Sequence, residues 1–523
     1  MLNEYKQDSL RDLITKCRSA NNSSLILNKA LNDIKKEISN NDKDIKIHAV
    51  LKLIFFYLNN YDIKWAAINT MDIITTCGIK GKRVGYTLAQ MQFKNNPDWI
   101  LMLPNLIRKD LQSTNNTVIS MSLDLVNSII NPTFAIEVTK DLEKLLNLNN
   151  LIIRKKLVIS LTKAAELLLK NKINENFWDD LIIKLITILN PKKDKEKDLP
   201  SGLQICIISS IQKICKNYPE KVIPVFMDLM SYFTRCEINW NIIKIIDIFG
   251  DFLKTEPRLA KKKEFIKLIS DKLALTKSKS VEIQLVKLVI TNYDSVESLS
   301  LSNKNNNNTN SNLNLNSIAV ELFQNCEERL KNLLMFNDNN LVLISLRILK
   351  ELFKKNKIIS SNYLNDVLKI LDNSNCRSIQ DECLEIIFIC VGKENYKIIT
   401  EKLLSLLNNL GEKGIITIIN IGTFDSYSRM EKKEDFNWFI EILFNIGKNE
   451  FIKNELDYEN NNNKDVDSSY LDKDNNKENC EMKIAFILRD LSQRIESLRE
   501  IIIEKSLELL GVLFAKIKSN QGI

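Results

Sequence analysis

Helical periodicity runs through this chain with few interruptions, and no other feature constrains its fold as tightly. Apolar residues recur at helical spacing over 25–39, 44–59, 99–112, 117–130, 151–170, 177–190, 202–217, 221–233 and 239–253. The pattern returns over 318–336, 339–355, 361–372, 379–391 and 483–516. A 3.6-residue period places each set on one face of a helix. Asn, Asp, Lys, Ser or Pro occupy the breaks, and Pro97, Pro132, Pro219 and Pro257 stand where first-turn prolines stand. No series of alternating strands is legible; the β-branched stretch 414–422 reads as a short buried helix.

Helix pairs return about every 35–40 residues, the pitch of HEAT and armadillo repeats. At 523 residues the chain exceeds what one compact core usually supports. The expected class is all-α: an α-solenoid of HEAT/armadillo-like helical repeats. The stretch "NWNIIKIIDIFGDFLK" fits that reading. Its polar residues, Asn241, Lys244, Asp247 and Asp251, form one narrow stripe, and the rest, Trp240 included, is mostly large and apolar. A helix apolar on three sides suits an inner position, touching its own partner and both neighbouring repeats. A new helix is expected from Thr255, Glu256 and Pro257.

Two Asn-rich stretches, 302–317 and 455–479, lack apolar periodicity and cannot offset the entropy of ordering. They read as disordered loops. The expected layout is a first solenoid part over 1–300, a loop over 301–317, a continuation over 318–454, a loop over 455–479, and last helices over 480–523.

Sites of chemistry are scarce. The single histidine, His48, excludes two-histidine metal motifs. No P-loop or nucleophile-elbow pattern occurs, and the glycines of "GIKGKRVGY" (78–86) have the wrong spacing for a phosphate cradle. Ten cysteines are scattered without a C-x-x-C pair; Cys383 and Cys390 read as small buried thiols, which suits a reducing compartment. The chain is therefore expected not to be an enzyme and to need no cofactor or metal. The net charge, 74 − 66 = +8, is mild for this length. Basic clusters at Lys35–Lys36, Arg154–Lys156 and Lys261–Lys263 suit either acidic headgroups or ordinary helix C-termini. No aromatics interleave with them, which argues against nucleic acid.

Specific phrases carry a family resemblance. "NWNIIKIIDIFGDFLKTEPRLAKK" (239–262) resembles the signature of the delta type of adaptin, the large chain of adaptor protein complex 3. The matching residues are Asn239, Trp240, Lys244–Ile246, Phe249, Gly250, Glu256, Pro257, Arg258, Leu259 and Lys261–Lys262. "YDIKWAAINTMDIITTCGIKGKRVGY" (61–86), "LIRKDLQS" (106–113), "LIIRKKLVIS" (151–160) and "DFNWFIEILFNI" (435–446) are similar to further phrases of adaptin trunks.

The resemblance implies an α-solenoid trunk in a heterotetramer with beta-type large, medium and sigma-type small chains. Such a complex coats Golgi or endosomal membranes from the cytosolic side and selects the cytosolic tails of membrane cargo for lysosome-related organelles. It is recruited by a small GTPase of the ADP-ribosylation-factor type. A hinge and an ear domain, usual in these large chains, are expected to be absent. Arg18, in "DLITKCRSANN", matches an arginine beside bound acidic dileucine signals. Ile68 and Met71 match the apolar pair that gamma-type chains present to the GTPase, with Lys64 at the rim; they also fit a core together with Ile73 and Ile74. Of a phosphoinositide-binding lysine triplet in alpha-type chains only Lys46 remains, so that site is not carried over. The competing solenoid reading is a nuclear transport receptor or phosphatase scaffold, which periodicity does not separate from a coat subunit.

Overall fold

The computed structural model describes residues 9–19, 23–95, 97–190, 199–292, 310–355, 360–392, 395–406, 410, 412–422, 438–444, 480–494, 496 and 499–507. Among them there is no β-strand. The chain divides into two units, Met1–Gln284 and Leu285–Ile523.

In the first unit the helices are α1 (Leu10–Ser19), α2 (Ser23–Ile38), α3 (Lys43–Leu58), α4 (Ala67–Thr76), α5 (Ile79–Gln92), the single turn α6 (Pro97–Ile100), α7 (Leu103–Leu111) and α8 (Asn116–Ile129). They continue as α9 (Pro132–Lys144), α10 (Leu151–Lys170), α11 (Asn176–Leu189), α12 (Ser201–Asn217), α13 (Phe226–Arg235), α14 (Asn239–Thr255) and α15 (Lys263–Leu275). A sixteenth, α16 (Lys279–Asn292), begins in this unit.

Polar residues at the breaks start the helices. Asp42, Asn115, Asn131 and Asn150 cap α3, α8, α9 and α10, each side chain accepting from backbone N–H groups of the first turn. Such caps are worth about 1 kcal/mol each. Between caps the apolar faces stack in two rows. One row runs α3, α5, α8, α10, α12, α14, each packed on the next; α4, α7, α9, α11 and α13 back it, pairing with α5, α8, α10, α12 and α14. That is the expected solenoid of helical hairpins.

The second unit repeats the scheme. Its helices are α17 (Asn310–Leu334), α18 (Asn339–Lys355), α19 (Ser360–Asn373), α20 (Arg377–Cys390), α21 (Tyr396–Ser405), α22 (Glu412–Gly422) and α23 (Cys480–Arg494). Here α18, α20, α22 and α23 form a row, backed by α17, α19 and α21. The β-branched stretch 414–422 is helical, as expected.

Helix α14 does occupy an inner position. Phe249 lies at the centre of an aromatic cluster with Phe226, Phe233 and Phe265, ring centroids 5.7, 5.5 and 5.3 Å away. Its polar stripe, however, does not simply face water. Asn241 is fully buried, whereas Trp240, expected to be covered, is 69% exposed. The reason is lateral packing: the stripe lies against α12, where Asn241 donates to Gln204 and to Tyr232 of α13. Lys244 donates to Gln212, and Gln212 donates to Asp247. Trp240, about 100° round the helix from Asn241, lies off that stripe.

Three further expectations need correction. The helix after Pro257 begins as a five-residue 3-10 turn, Pro257–Lys261, and α15 follows only at Lys263. The helix read over 221–233 begins at Phe226, after two short 3-10 turns. Helix α17 starts at Asn310, so it takes in the last residues of the first Asn-rich stretch; extending a formed helix costs far less than nucleating one. Residues 455–479 lie outside the described residues.

Candidate interaction surfaces

Among the described residues no group of His, Cys, Asp and Glu could hold a metal. His48 is exposed on α3. Burial pushes the thiols of Cys215, Cys326, Cys383 and Cys390 up to about 12. Those thiols stay protonated at neutral pH and serve as packing. No described helix is long and apolar enough to cross a membrane.

Two of the three glycines of the "GIKGKRVGY" stretch, Gly81 and Gly85, are packing residues. Gly81 and Gly85 lie on the face of α5 that meets α4. A Cβ at Gly81 would lie 2.3 Å from Cys77 Cβ, and one at Gly85 would lie 2.7 Å from Ile74 Cγ1. Their spacing of four, wrong for phosphate, is right for one side of a helix.

Successive hairpins are also joined by ion pairs, which the sequence reading did not find. Lys46 reaches Asp72, Arg108 reaches Asp141, and Lys82 reaches Asp110, at 2.7, 2.7 and 2.6 Å. Lys156–Asp124, Lys184–Glu143 and Lys213–Glu166 continue the series in the first unit. In the second, Glu382 takes hydrogen bonds from Arg347 and Lys350. Partners stand 26 to 35 residues apart in several of these pairs, so the signal would have been opposite charges recurring at the repeat pitch. Exposed rungs contribute little singly. Lys46, the one residue left of the lysine triplet, is engaged in such a rung.

The expected contact residues fall on separate surfaces. Arg18 is exposed in the last turn of α1. On α4, Ile68 is 62% exposed and Met71 half-buried, while Ile73 and Ile74 fill the core. Trp65 and Lys64 lie at the same end of that helix, and the Lys35 ammonium sits 5.4 Å from the Trp65 ring centroid. Ile68 is thus a surface residue beside a half-exposed tryptophan. Of the signature residues, Phe249 is buried and Gly250 and Glu256 are half-buried, whereas Asn239, Trp240, Pro257 and Arg258 are exposed. The signature is one helix with its two ends, part core and part surface. A groove of about 490 Å³ lies between α5, α8 and α10, with Arg83, Asp124 and Ile152 in its walls.

Comparison with known proteins adds the following. A family model described as "Adaptin N terminal region" matches residues 25–457. The AP-3 complex subunit delta-1 of Bos taurus is 26% identical over 451 residues, covering 84% of this chain and 34% of the relative. The AP-3 complex subunit delta of Schizosaccharomyces pombe is 24% identical over 445 residues, covering 84% and 50%. That of Saccharomyces cerevisiae is 24% identical over 540 residues, covering 97% and 51%. The chain thus spans between a third and about half of the length of these curated relatives. A homology model of the full-length AP-3 complex in an intermediate open conformation has a chain similar in fold: TM-score 0.55, 21% identity, 90% of this chain and 76% of that one. A structure of Kap95p with RanGDP gives TM-score 0.52 at 10% identity, covering 96% and 70%. Both likenesses concern the solenoid fold alone.

Proposed function

The chain belongs to the family of adaptin N-terminal regions, and on that footing we propose that it is the trunk of a delta-type large subunit in a heterotetrameric vesicle-coat adaptor. The observation that carries this reading is similarity to AP-3 delta subunits along 84% of the chain or more. The partners are a beta-type large chain, a medium chain and a sigma-type small chain. The assembly binds peripherally to the cytosolic face of Golgi or endosomal membranes and collects the tails of membrane cargo for lysosome-related organelles.

The geometry suits a scaffold. Two rows of helices packed in series give each unit a continuous frame, on which separated docking patches keep their spacing. The α4 patch around Ile68 is the recruitment surface for a small GTPase of the ADP-ribosylation-factor type. Arg18 lies where a guanidinium can donate charge-assisted hydrogen bonds to the acidic residue of a dileucine signal. Arg18→Glu should weaken binding of an acidic dileucine peptide to the assembled complex while leaving assembly intact; equal affinity would remove Arg18 from the site.

The deciding experiment is co-expression of the tagged chain with beta-type, medium and sigma-type chains. Stoichiometric co-purification of all four supports the reading. Capture of a Ran-type GTPase or a phosphatase subunit instead would favour a different solenoid scaffold.

A further inference from the structure

The groove of about 490 Å³ between α5, α8 and α10 collects polar side chains that the fold leaves unused. Arg83, Thr87 and Gln90 recur at i, i+4 and i+7, so they form one stripe along α5. Asn116 and Thr117, in the first turn of α8, belong to the facing wall. Asn150, the cap residue of α10, stands in the third wall. Its Oδ1 accepts from the backbone N–H groups of Ile152 and Ile153, which leaves its own amide N–H groups to donate elsewhere.

The charges at the groove are matched within the fold, with one exception. Lys82 is held by Asp110, which also accepts from the Tyr86 hydroxyl, and Lys156 is held by Asp124 and Ser120. Arg83 is exposed, and among the described residues its guanidinium has no hydrogen-bond or carboxylate partner. The side chains of Gln90, Asn116 and Thr117 likewise have none. An amide side chain offers donors and an acceptor in one plane, so it can pair with both the N–H and the C=O of a peptide chain. From Arg83 to Gln90 the α5 stripe runs about 10 Å, the length of about three extended residues. Met121 and Ile152 supply the apolar part of the walls.

We propose that this groove binds an extended peptide segment of a partner protein. The amides of Gln90, Asn116 and Asn150 pair with its main chain, Arg83 holds one acidic side chain, and a small apolar side chain rests on Met121 and Ile152. Charge complementarity selects the acidic residue, because Arg83 is the one cation in the walls and lacks a counter-charge. A polyanion fits less well: one open cation cannot neutralise several phosphates, and the aromatic ring in the walls, Tyr86, is buried and cannot stack on a base. A wholly apolar ligand would strand the amides without partners. The site uses other helices than those carrying Arg18 and Ile68, and it does not depend on the coat reading.

The test is selection of a phage library of random linear dodecapeptides on the full chain, with the Arg83→Glu/Asn116→Ala variant as counter-selection. Enriched peptides should carry Asp or Glu at one recurring position. A fluorescent copy of the best binder should lose affinity about tenfold or more to Arg83→Ala and severalfold to Gln90→Ala or Asn116→Ala, with melting temperatures unchanged. N-methylation of its main chain beside the acidic residue should also weaken binding, a loss that recognition through side chains alone would not produce. Lys109→Ala, an exposed position on α7, serves as the control. No enrichment over the counter-selected variant, binding unchanged by Arg83→Ala, or an equal loss in the control overturns the proposal. So does an Arg83-dependent affinity for inorganic polyphosphate that exceeds the affinity for the peptide. Because the full chain is the bait, failure of the four chains to co-purify would remove the coat reading and leave this result intact. Loss of peptide binding on assembly of the four chains would make the groove part of a subunit interface and overturn the proposal.

Discussion

The Lys82 ammonium donates to both carboxylate oxygens of Asp110, at 2.7 and 2.6 Å, joining α5 to the turn-and-helix that follows it. Tyr86, one turn on, donates to the same carboxylate at 2.7 Å, and burial together with that carboxylate pushes its phenol well above the ordinary range. Asp110 is only 5% exposed. Removing it leaves a lysine and a phenol without their acceptor in a largely dry place. Asp110→Ala should destabilise the first unit by about 3–5 kcal/mol, and Tyr86→Phe by only about 1 kcal/mol. Thermal melting of the purified assembly checks both, and near-equal shifts would mean that the ion pair contributes no more than the phenol.

Acid should loosen the second unit through Glu382. Burial pushes its carboxyl up, but hydrogen bonds from Lys350 and Arg347 more than offset that and hold it below its ordinary 4.5. A carboxyl depressed in the folded state contributes stability that is full above its unfolded value and is lost as pH falls through the folded one. Wild type should therefore lose urea resistance between about pH 5 and pH 3. Glu382→Gln should be less stable near neutral pH and show a shallower loss over the same interval. An unchanged acid limb would assign the loss to other carboxylates.

Two glycines three residues apart should respond oppositely to alanine. A Cβ at Gly78 meets nothing within 4 Å, whereas one at Gly81 would overlap Cys77 Cβ, an atom too close to its backbone to swing aside. Gly81→Ala should cost about 1–3 kcal/mol as α4 and α5 are forced apart, while Gly78→Ala should be near neutral. Circular-dichroism melting compares them, and equal costs would exclude close helix approach as the reason for Gly81.

For the α4 patch the sequence left core and surface open. Ile68 is a surface residue, so Ile68→Glu should change stability by no more than about 0.5 kcal/mol. Met71 is half-buried, and Met71→Ala trims the patch without burying a charge. The double variant should assemble and melt normally yet lose GTP-dependent recruitment to membranes carrying the small GTPase. Normal recruitment of that folded variant would rule the patch out.

Helices, their approximate ends and the solenoid class were legible because they depend on neighbours three and four residues away, and that periodicity is written along the chain. The inner position of α14 followed from its three apolar sides. Which side met which neighbour did not follow. Asn241 and Trp240 are adjacent in sequence and exchanged their expected environments, because α12 approaches the polar stripe and offers Gln204, while Trp240, about 100° round the helix from Asn241, is left exposed. The rungs of charge were equally hidden, since Lys82 and Asp110 acquire a relationship only when one hairpin settles beside the next. Lys261–Lys263 belong to the same class: their composition is plain in the sequence, but only the folded chain sets them at the beginning of a helix instead of its end. Local spacing determined the elements, and lateral packing, which depends on contacts tens of residues apart, decided which of their polar residues are satisfied within the fold and which remain for a partner.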